Sequence, residues 1–316
     1  MKEIYNPGYD SILGLEKAAQ WADEGLRKYS IVEDDKDFIN LYGDKQVKKD
    51  MAFVKSREQR FRKEATPGLE AKYRAAHILE YIIFEQSELS EWFGSQAHTI
   101  KTSRLDDIAN GVDMVIEFQD PEDYKDQSFD RLGLAVDVSF GVDLSGKFHR
   151  IKEEIDNGTL SEVKYFKSER SPAQKLEHLP RIVIGCTGAT IDELVKLWTT
   201  GDKARLGNHP LQVQLLHEIQ IQLEVFEDYA LYVAKNEEMA NIYKGLRGIV
   251  DPLLAEKRKA LGPNARNLYD SGFERIQDGL IPMQAQANVA KPHISPEERS
   301  RQIREKFKYL QKKDAA

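Results

Sequence analysis

Apolar and polar residues alternate along two short runs near the middle of the chain. The runs are Val112–Phe118 and Leu134–Phe140, and each places an acidic residue among apolar ones. Successive side chains of a strand point to opposite faces, so this pattern predicts two strands in which Asp113 and Asp137 each lie opposite the larger apolar side chains. If the two strands pair as neighbours, Asp113 and Asp137 lie side by side on one face.

Two neighbouring carboxylates repel each other unless a proton or a cation lies between them. A hard divalent ion such as Mg²⁺ takes oxygen ligands of this kind. A structural role is the alternative, because Asp113 follows the turn signal Asn110-Gly111 and could cap that turn. The hydroxyl groups that could instead hold Asp137 in a structural network are those of Thr102, Ser103 and Ser139. Both interpretations stay open on the sequence alone.

Helical periodicity dominates the N-terminal part of the chain. Residues 1–66 have the pattern of short amphipathic helices, and the break Thr66-Pro67-Gly68 ends them. Residues 69–93 repeat apolar positions with the period and length of a core helix. Residues 97–140 are strand-rich, with residues 120–130 as an exposed acidic loop. We expect the remaining acids of this section at exposed strand ends or turns, namely Asp106, Asp107 and Glu117.

The second half of the chain mixes short strands with longer helices. Phe148–Ile155 has the pattern of a short helix, whereas Glu162–Phe166 and Arg181–Gly185 read as strands. The second of these strands is an unbroken β-branched run, which is typical of a covered strand. A long helical section follows Pro210 and extends to about Leu261.

Apolar periodicity is expected to end near Pro282, and a last charged helix is expected from Ile294. These patterns divide the chain into four parts. They are an N-terminal helical extension (1–66), an α/β core (67–205), a C-terminal helical region (206–290) and a charged tail (291–316).

Composition narrows the class of protein. The 316 residues are 41% hydrophobic, which is enough for a sizeable core, and the net charge of −7 argues against a general nucleic-acid coating protein. Cys186 is the only cysteine, so no intramolecular disulfide is expected and a reducing compartment is favoured. The sequence has no run of about 20 apolar residues and no apolar signal-peptide region at Met1–Tyr5, so we expect a cytoplasmic protein.

The predicted order of helix, three strands, helix and strand, with acids on the second and third strands, resembles the core of the PD-(D/E)XK phosphodiesterase superfamily. Many restriction enzymes and Holliday-junction resolvases share this fold. The resemblance extends from about Pro67 to Gly185. It implies a restriction-endonuclease-like αβββαβ core of the α/β class, with added N-terminal and C-terminal helices. It also implies a nuclease that uses Mg²⁺ or Mn²⁺ to hydrolyse nucleic acid. The motif itself does not distinguish DNA from RNA, and we expect DNA as the partner.

The resemblance also implies a set of site residues. Asp113 matches the first metal ligand and Asp137 the second, with the carbonyl group of Val138 as a third. In this family an acid of the first helix often completes the site. Glu70 and Glu80 are the candidates, and we assign Glu70, whose alternative role is to favour the helix N-terminus through the helix dipole.

One position departs from the family pattern. The family places a lysine two positions after the second acid, to activate water and stabilise the transition state, and this chain has Ser139 there. A hydroxyl group cannot supply that positive charge. The lysines that could replace it from another element are Lys147, Lys152 and Lys164, and we assign the catalytic role to Lys152.

Three further hypotheses follow from the sequence. A nuclease-like domain without catalysis could serve as an interaction or assembly module, or form a homo-oligomer, through the C-terminal helices after Pro210. The loop Gly185–Thr190 lies between a strand and a helix, where backbone amides can bind phosphate, but it lacks the known phosphate-binding patterns and is interpreted as a tight connection. The basic tail 291–316 could contact nucleic-acid phosphates, although a solvated helix is favoured.

Overall fold

A computed structural model describes residues 9–30, 32, 34–118, 132–140, 143–168, 171–262 and 269–292. The predicted loop at 120–130 and the predicted final helix from Ile294 lie outside these ranges. Across the described ranges, no helix combines the length and the apolar character needed to cross a membrane. The fold is of the mixed α/β class.

The helices and strands follow one another in a mixed order. The helices are α1 (Tyr9–Ser30), α2 (Lys36–Tyr42), α3 (Asp44–Glu64), α4 (Pro67–Leu89), α5 (Ser145–Asp156), α6 (Gly188–Thr200), α7 (Lys203–Gly207), α8 (Leu211–Tyr232), α9 (Glu237–Leu261) and α10 (Ser271–Ala290). The strands are β1 (Ala97–Lys101), β2 (Met114–Phe118), β3 (Leu132–Ser139), β4 (Ser161–Ser168), β5 (Ser171–Leu179) and β6 (Arg181–Gly185). A single π-helical turn, Asp106–Asn110, lies between β1 and β2.

A four-stranded sheet with the order β1-β2-β3-β6 forms the centre of the fold. Strands β1 and β2 pair antiparallel, as do β2 and β3, whereas β3 and β6 pair in parallel. The strands β4 and β5 form a separate antiparallel pair. The sequence pattern predicted β6 and most of β4, but it did not predict β5, whose residues are mostly polar and partly exposed.

The two faces of the central sheet pack against different partners. One face carries Met114, Val136 and Ile184 into the main core, which continues through α1, α4, α8 and α9. The other face carries Val115 and Ala135 into a small cluster with side chains of the β4–β5 pair. Because side chains alternate, Asp113 and Asp137 belong to this second face. The main core thus includes residues from the first three of the four predicted parts of the chain.

Helix α8 covers the free edge of β6 with a row of polar side chains. Gln222 donates to the carbonyl oxygen of Val183 at 2.7 Å and accepts from the Val183 amide at 2.8 Å. Two residues along the strand, Glu218 accepts from the Gly185 amide and Gln214 donates to the Gly185 carbonyl oxygen. Since edge strands leave backbone groups unpaired, these side chains complete the hydrogen bonding that a neighbouring strand would supply.

Several predictions about individual elements are wrong. Glu117 is buried within β2, although we expected it at an exposed strand end. Asp106 is fully buried in the π-helical turn, where it accepts hydrogen bonds from backbone amides of β4 and from two side chains. Apolar periodicity also continues past Pro282, because Met283 and Ala287 keep the buried face of α10.

Candidate functional site

A cleft of about 1110 Å³ opens beside the second face of the central sheet. The ends of β1 and β3, the turn before β2, and the helices α1, α3, α4 and α5 supply its walls. Its charged lining includes Glu80, Lys101, Asp107, Asp113, Asp137 and Lys147, together with the arginines Arg62, Arg74, Arg104, Arg150 and Arg181. The cleft therefore brings several acids and several cations into one space.

Asp113 and Asp137 lie side by side at the edge of this cleft. Met114 of β2 pairs with Val136 of β3, so the residue before Met114 lies opposite the residue after Val136. The Asp113 amide donates to the Val136 carbonyl oxygen at 2.8 Å, and the Asp113 carboxylate accepts from the Val138 amide at 2.7 Å. The two acids are therefore neighbours in the structure, as the sequence predicted.

The turn before β2 is fixed from two sides. Gly111 has a φ of 62°, a left-handed conformation that favours glycine. Arg181 donates to the Gly111 carbonyl oxygen at 2.6 Å and pairs with Glu154, while Arg150 donates to the Asn110 carbonyl oxygen at 3.3 Å. These arginines hold the backbone that leads into Asp113.

Two of the three hydroxyl groups considered for a structural network have other partners. Thr102 donates to the Asp113 carbonyl oxygen at 2.9 Å, and Ser103 donates to the Asp106 carboxylate at 2.7 Å. The Asp113 carboxylate itself reaches across to β3 rather than capping the turn at Asn110. The Thr102 and Ser103 hydroxyl groups therefore bond to groups other than the Asp137 carboxylate, and the Asp113 carboxylate bonds to β3.

The electrostatic environment disfavours ionisation of the acid pair. Burial is the main reason that the pKa of Asp113 lies well above its ordinary value, and the carboxylates of Glu80, Asp107 and Asp137 raise it further. Burial also raises the pKa of Asp137, although Lys147 and Arg181 oppose that shift. Carboxyl groups in such a setting retain a proton or favour a cation in its place.

Two lysines bring positive charge to these acids. Lys147, in the first turn of α5, forms an ion pair and hydrogen bond with the Asp137 carboxylate. Lys101, at the end of β1, pairs with Glu80 of α4 and donates to the Asp113 carbonyl oxygen at 2.8 Å. Burial lowers the pKa of Lys101, but the surrounding carboxylates outweigh burial and leave that pKa above its ordinary value.

The structure places two of the assigned site residues elsewhere. Lys152 pairs with Asp156 at 2.5 Å and lies over the ring of Tyr229, away from the acid pair. Glu70 is exposed in the first turn of α4 and is not part of the cleft lining, whereas Glu80 is buried and lines it. The other lysine considered, Lys164, pairs with Asp50.

The sequence carried weak signals for Glu80 and Lys147, which lie in the cleft in place of Glu70 and Lys152. Glu80 lies among apolar residues of a core helix, which is the same signal that identified Asp137. Lys147 is near the start of the helix that follows β3, so it stays close to the end of that strand. Lys101 gave no comparable signal, because a lysine that ends a strand is ordinarily solvated.

The Asp113 and Asp137 carboxylates offer oxygen atoms of the type that hard divalent cations bind. Mg²⁺ commonly binds one or two protein carboxylates and completes its shell with water and substrate phosphates, and Asp113 and Asp137 provide such a pair. Within the described ranges, no three His, Cys, Asp or Glu side chains form a ready metal-binding group. The donor set is therefore a carboxylate pair with Glu80 nearby, and its charge is partly balanced by lysines.

The loop Gly185–Thr190 is occupied from within the chain. Asp270 accepts a hydrogen bond from the Thr187 amide at 2.7 Å and further bonds from the hydroxyl groups of Thr187 and Thr190. A carboxylate thus fills the position at the start of α6 that a phosphate would need. The loop is a tight connection, as the sequence indicated.

Comparison of the chain with models of protein families, with curated proteins and with solved structures finds no match. Evidence about function therefore comes from the residues of the cleft.

Proposed function

We propose that this protein is a metal-dependent phosphodiester hydrolase that acts on nucleic acid, with a core of the PD-(D/E)XK type. The observation that carries the proposal is the neighbouring position of Asp113 and Asp137, with Lys147 on Asp137, in one open cleft. A buried acid pair beside cations is a functional-site signal, because such groups are costly for the fold to keep.

The order of the elements supports the proposed core. Helix α4, strands β1, β2 and β3, helix α5 and strand β6 follow the αβββαβ order that the resemblance implies, with the β4–β5 pair inserted before β6. Asp113 precedes the second strand and Asp137 lies on the third. Glu80 takes the place of Glu70 as the acid from the first helix.

The roles of the side chains follow from their positions. Asp113 and Asp137 would hold a divalent ion, which when bound supplies Lewis-acid charge and a water of lowered pKa. Lys147 provides the positive charge that Ser139 cannot, and it approaches from α5 instead of β3. Lys101 holds the Glu80 carboxylate and the backbone of Asp113, so it orients two of the acids.

A second candidate function is an interaction domain without catalysis. The ion pairs Lys147–Asp137 and Lys101–Glu80 favour it, because they can satisfy the acids without a metal ion. Helix α8, which we considered as its partner surface, is largely buried within its own chain. The partner in that case would have to bind another face.

The test is cleavage of end-labelled single-stranded and double-stranded DNA and RNA with Mg²⁺ or Mn²⁺. The wild-type protein is compared with the Asp113→Ala/Asp137→Ala double variant and with Lys152→Met as a matched control outside the cleft. We expect cleavage by the wild type and the control, and loss of cleavage in the double variant. Equal cleavage by all three would indicate a contaminating nuclease and refute the proposal.

A further inference from the structure

Two neighbouring aromatic rings, one exposed and one half-buried, line the cleft. Phe61, near the end of α3, and Tyr73, in the second turn of α4, both line the cleft, and their ring centroids lie 6.4 Å apart. Tyr73 is 52% exposed. An exposed aromatic ring beside a polar cleft is a common feature of binding surfaces.

The position of Tyr73 on α4 points it to the same cleft as the acids. Tyr73, His77 and Glu80 are spaced by four and three residues, so they share one face of the helix. Seven residues at about 1.5 Å each place Tyr73 about 10 Å along the helix axis from Glu80. That length corresponds to about three stacked nucleotides at about 3.4 Å per step.

Two arginines that form no ion pair with any described residue flank the aromatic pair. Arg62 follows Phe61 and Arg74 follows Tyr73, both are exposed, and neither forms an ion pair within the part of the chain that the structure describes. By contrast, Arg104 in the same cleft is held by Glu58 and pairs with another acid. Unpaired guanidinium groups beside a cleft are suited to phosphate contacts.

We propose that the cleft takes an unpaired nucleic-acid strand, with a base stacked on Tyr73 and Phe61 and its phosphates beside Arg62 and Arg74. The bases of a duplex are paired and stacked on one another, whereas the bases of a single strand are free to stack on aromatic side chains. The inference adds the kind of substrate to the proposed function. It rests on that function for the statement that the bound strand runs toward Asp113. The stacking itself can be tested without cleavage.

The experiment measures binding of a fluorescein-labelled thymidine oligomer and of a duplex of equal length by anisotropy in EDTA. The variants are Tyr73→Ala, Tyr73→Phe and Phe53→Ala. Phe53 is a matched control, because it is a partly exposed ring on α3, lies beside Arg57 and is not part of the cleft lining. Thermal melts check that each variant is folded, which is expected because Tyr73 is exposed.

We expect the wild type to prefer the single strand and Tyr73→Ala to bind it about fivefold to a hundredfold more weakly. Tyr73→Phe keeps the ring, so it and Phe53→Ala should bind like the wild type. Unchanged binding by Tyr73→Ala, or an equal loss on single strand and duplex, would overturn the inference. A changed oligomeric state with unchanged strand binding would overturn it too, and would assign the ring to a protein contact.

Cleavage of the same oligomer with Mn²⁺ separates this inference from the proposed function. Cleavage by a wild type whose strand preference does not depend on Tyr73 overturns the stacking inference alone. Binding that depends on Tyr73 without any cleavage supports the stacking inference and counts against the hydrolase.

Discussion

Replacement of Lys147 by methionine is expected to change metal binding and cleavage in opposite directions. The Lys147 ammonium group lies on the Asp137 carboxylate, with side-chain exposures of 33% and 12%. Methionine keeps the length and apolar stem of the side chain but removes the charge. The variant therefore frees Asp137 for a metal ion and at the same time withdraws positive charge from the reacting phosphate.

The two effects differ in size. An ion pair that is partly exposed contributes about 0.2–1 kcal/mol, so its loss should tighten metal binding by about fivefold at most. Removal of one preorganised charge that stabilises a transition state costs about 2.7–4 kcal/mol, so the cleavage rate should fall by about a hundredfold to a thousandfold.

The assay pairs calorimetric titration of Mn²⁺ with single-turnover cleavage of a labelled oligonucleotide at saturating Mn²⁺. Lys152→Met is the control, because Lys152 lies on the same helix but pairs with Asp156. We expect the control to match the wild type in both measurements. A Lys147→Met protein that cleaves at the wild-type rate would refute the role of Lys147 in the reaction.

Three further predictions concern other parts of the molecule. Glu80→Gln should lower the cleavage rate at least tenfold whereas Glu70→Gln should leave it unchanged, because Glu80 lines the cleft and Glu70 does not. Cleavage rates of the two variants measured in parallel check this, and equal rates would contradict it. Gln222→Leu should lower the free energy of unfolding by about 2–4 kcal/mol in urea titrations, because two buried backbone groups of Val183 lose their partner; a loss below about 1 kcal/mol would contradict it. Burial lowers the pKa of His217 from 6.5 to about 4. Between these pH values the folded state therefore binds fewer protons than the unfolded state. The stabilisation of the folded state that is present above pH 6.5 should be lost as the pH falls toward 4. Urea titrations of His217→Phe, which keeps the ring stacked on its aromatic neighbours, should show a smaller loss over that range, and identical pH profiles would contradict the assignment.

The sequence was most informative where the hydrophobic period was strong. Arg181–Gly185 is an unbroken β-branched run, and its observed strand has the predicted bounds. The alternation around Asp113 and Asp137 predicted both the strand pair and the neighbouring position of the acids. Strand β5 was missed because its polar residues alternate with no apolar face, so its pairing with β4 depends on tertiary contacts.

The sequence pattern could not show which lysine lies beside the acid pair. The choice between Lys147 and Lys152 depends on the phase of α5, since five residues turn a helix by about 140° and advance it by about 7.5 Å. Phe148, Ile151 and Ile155 form the buried face of α5, but the sequence does not say which neighbouring element lies on either side of it. Lys152 lies over the ring of Tyr229 in α8, and Tyr229 is more than seventy residues later in the chain.

The acid of the first helix was misassigned for a related reason. Glu70 and Glu80 both lie on α4, and the helix pattern alone does not show which part of α4 borders the sheet. The ion pair between Glu80 and Lys101 of β1 shows that the part of α4 around Glu80 borders the sheet. The position of Glu80 among the apolar residues Leu79, Ile82 and Ile83 was the available signal in the sequence.

The proposed hydrolase requires Asp113 and Asp137 to bind a divalent cation together. Calorimetric titration of Mn²⁺ and Mg²⁺ into the wild type, the Asp113→Ala/Asp137→Ala double variant and Glu70→Gln as an exposed-acid control measures this binding. We expect saturable binding to the wild type and the control, and none to the double variant. Absence of binding to the wild type, or equal binding to all three proteins, would contradict it.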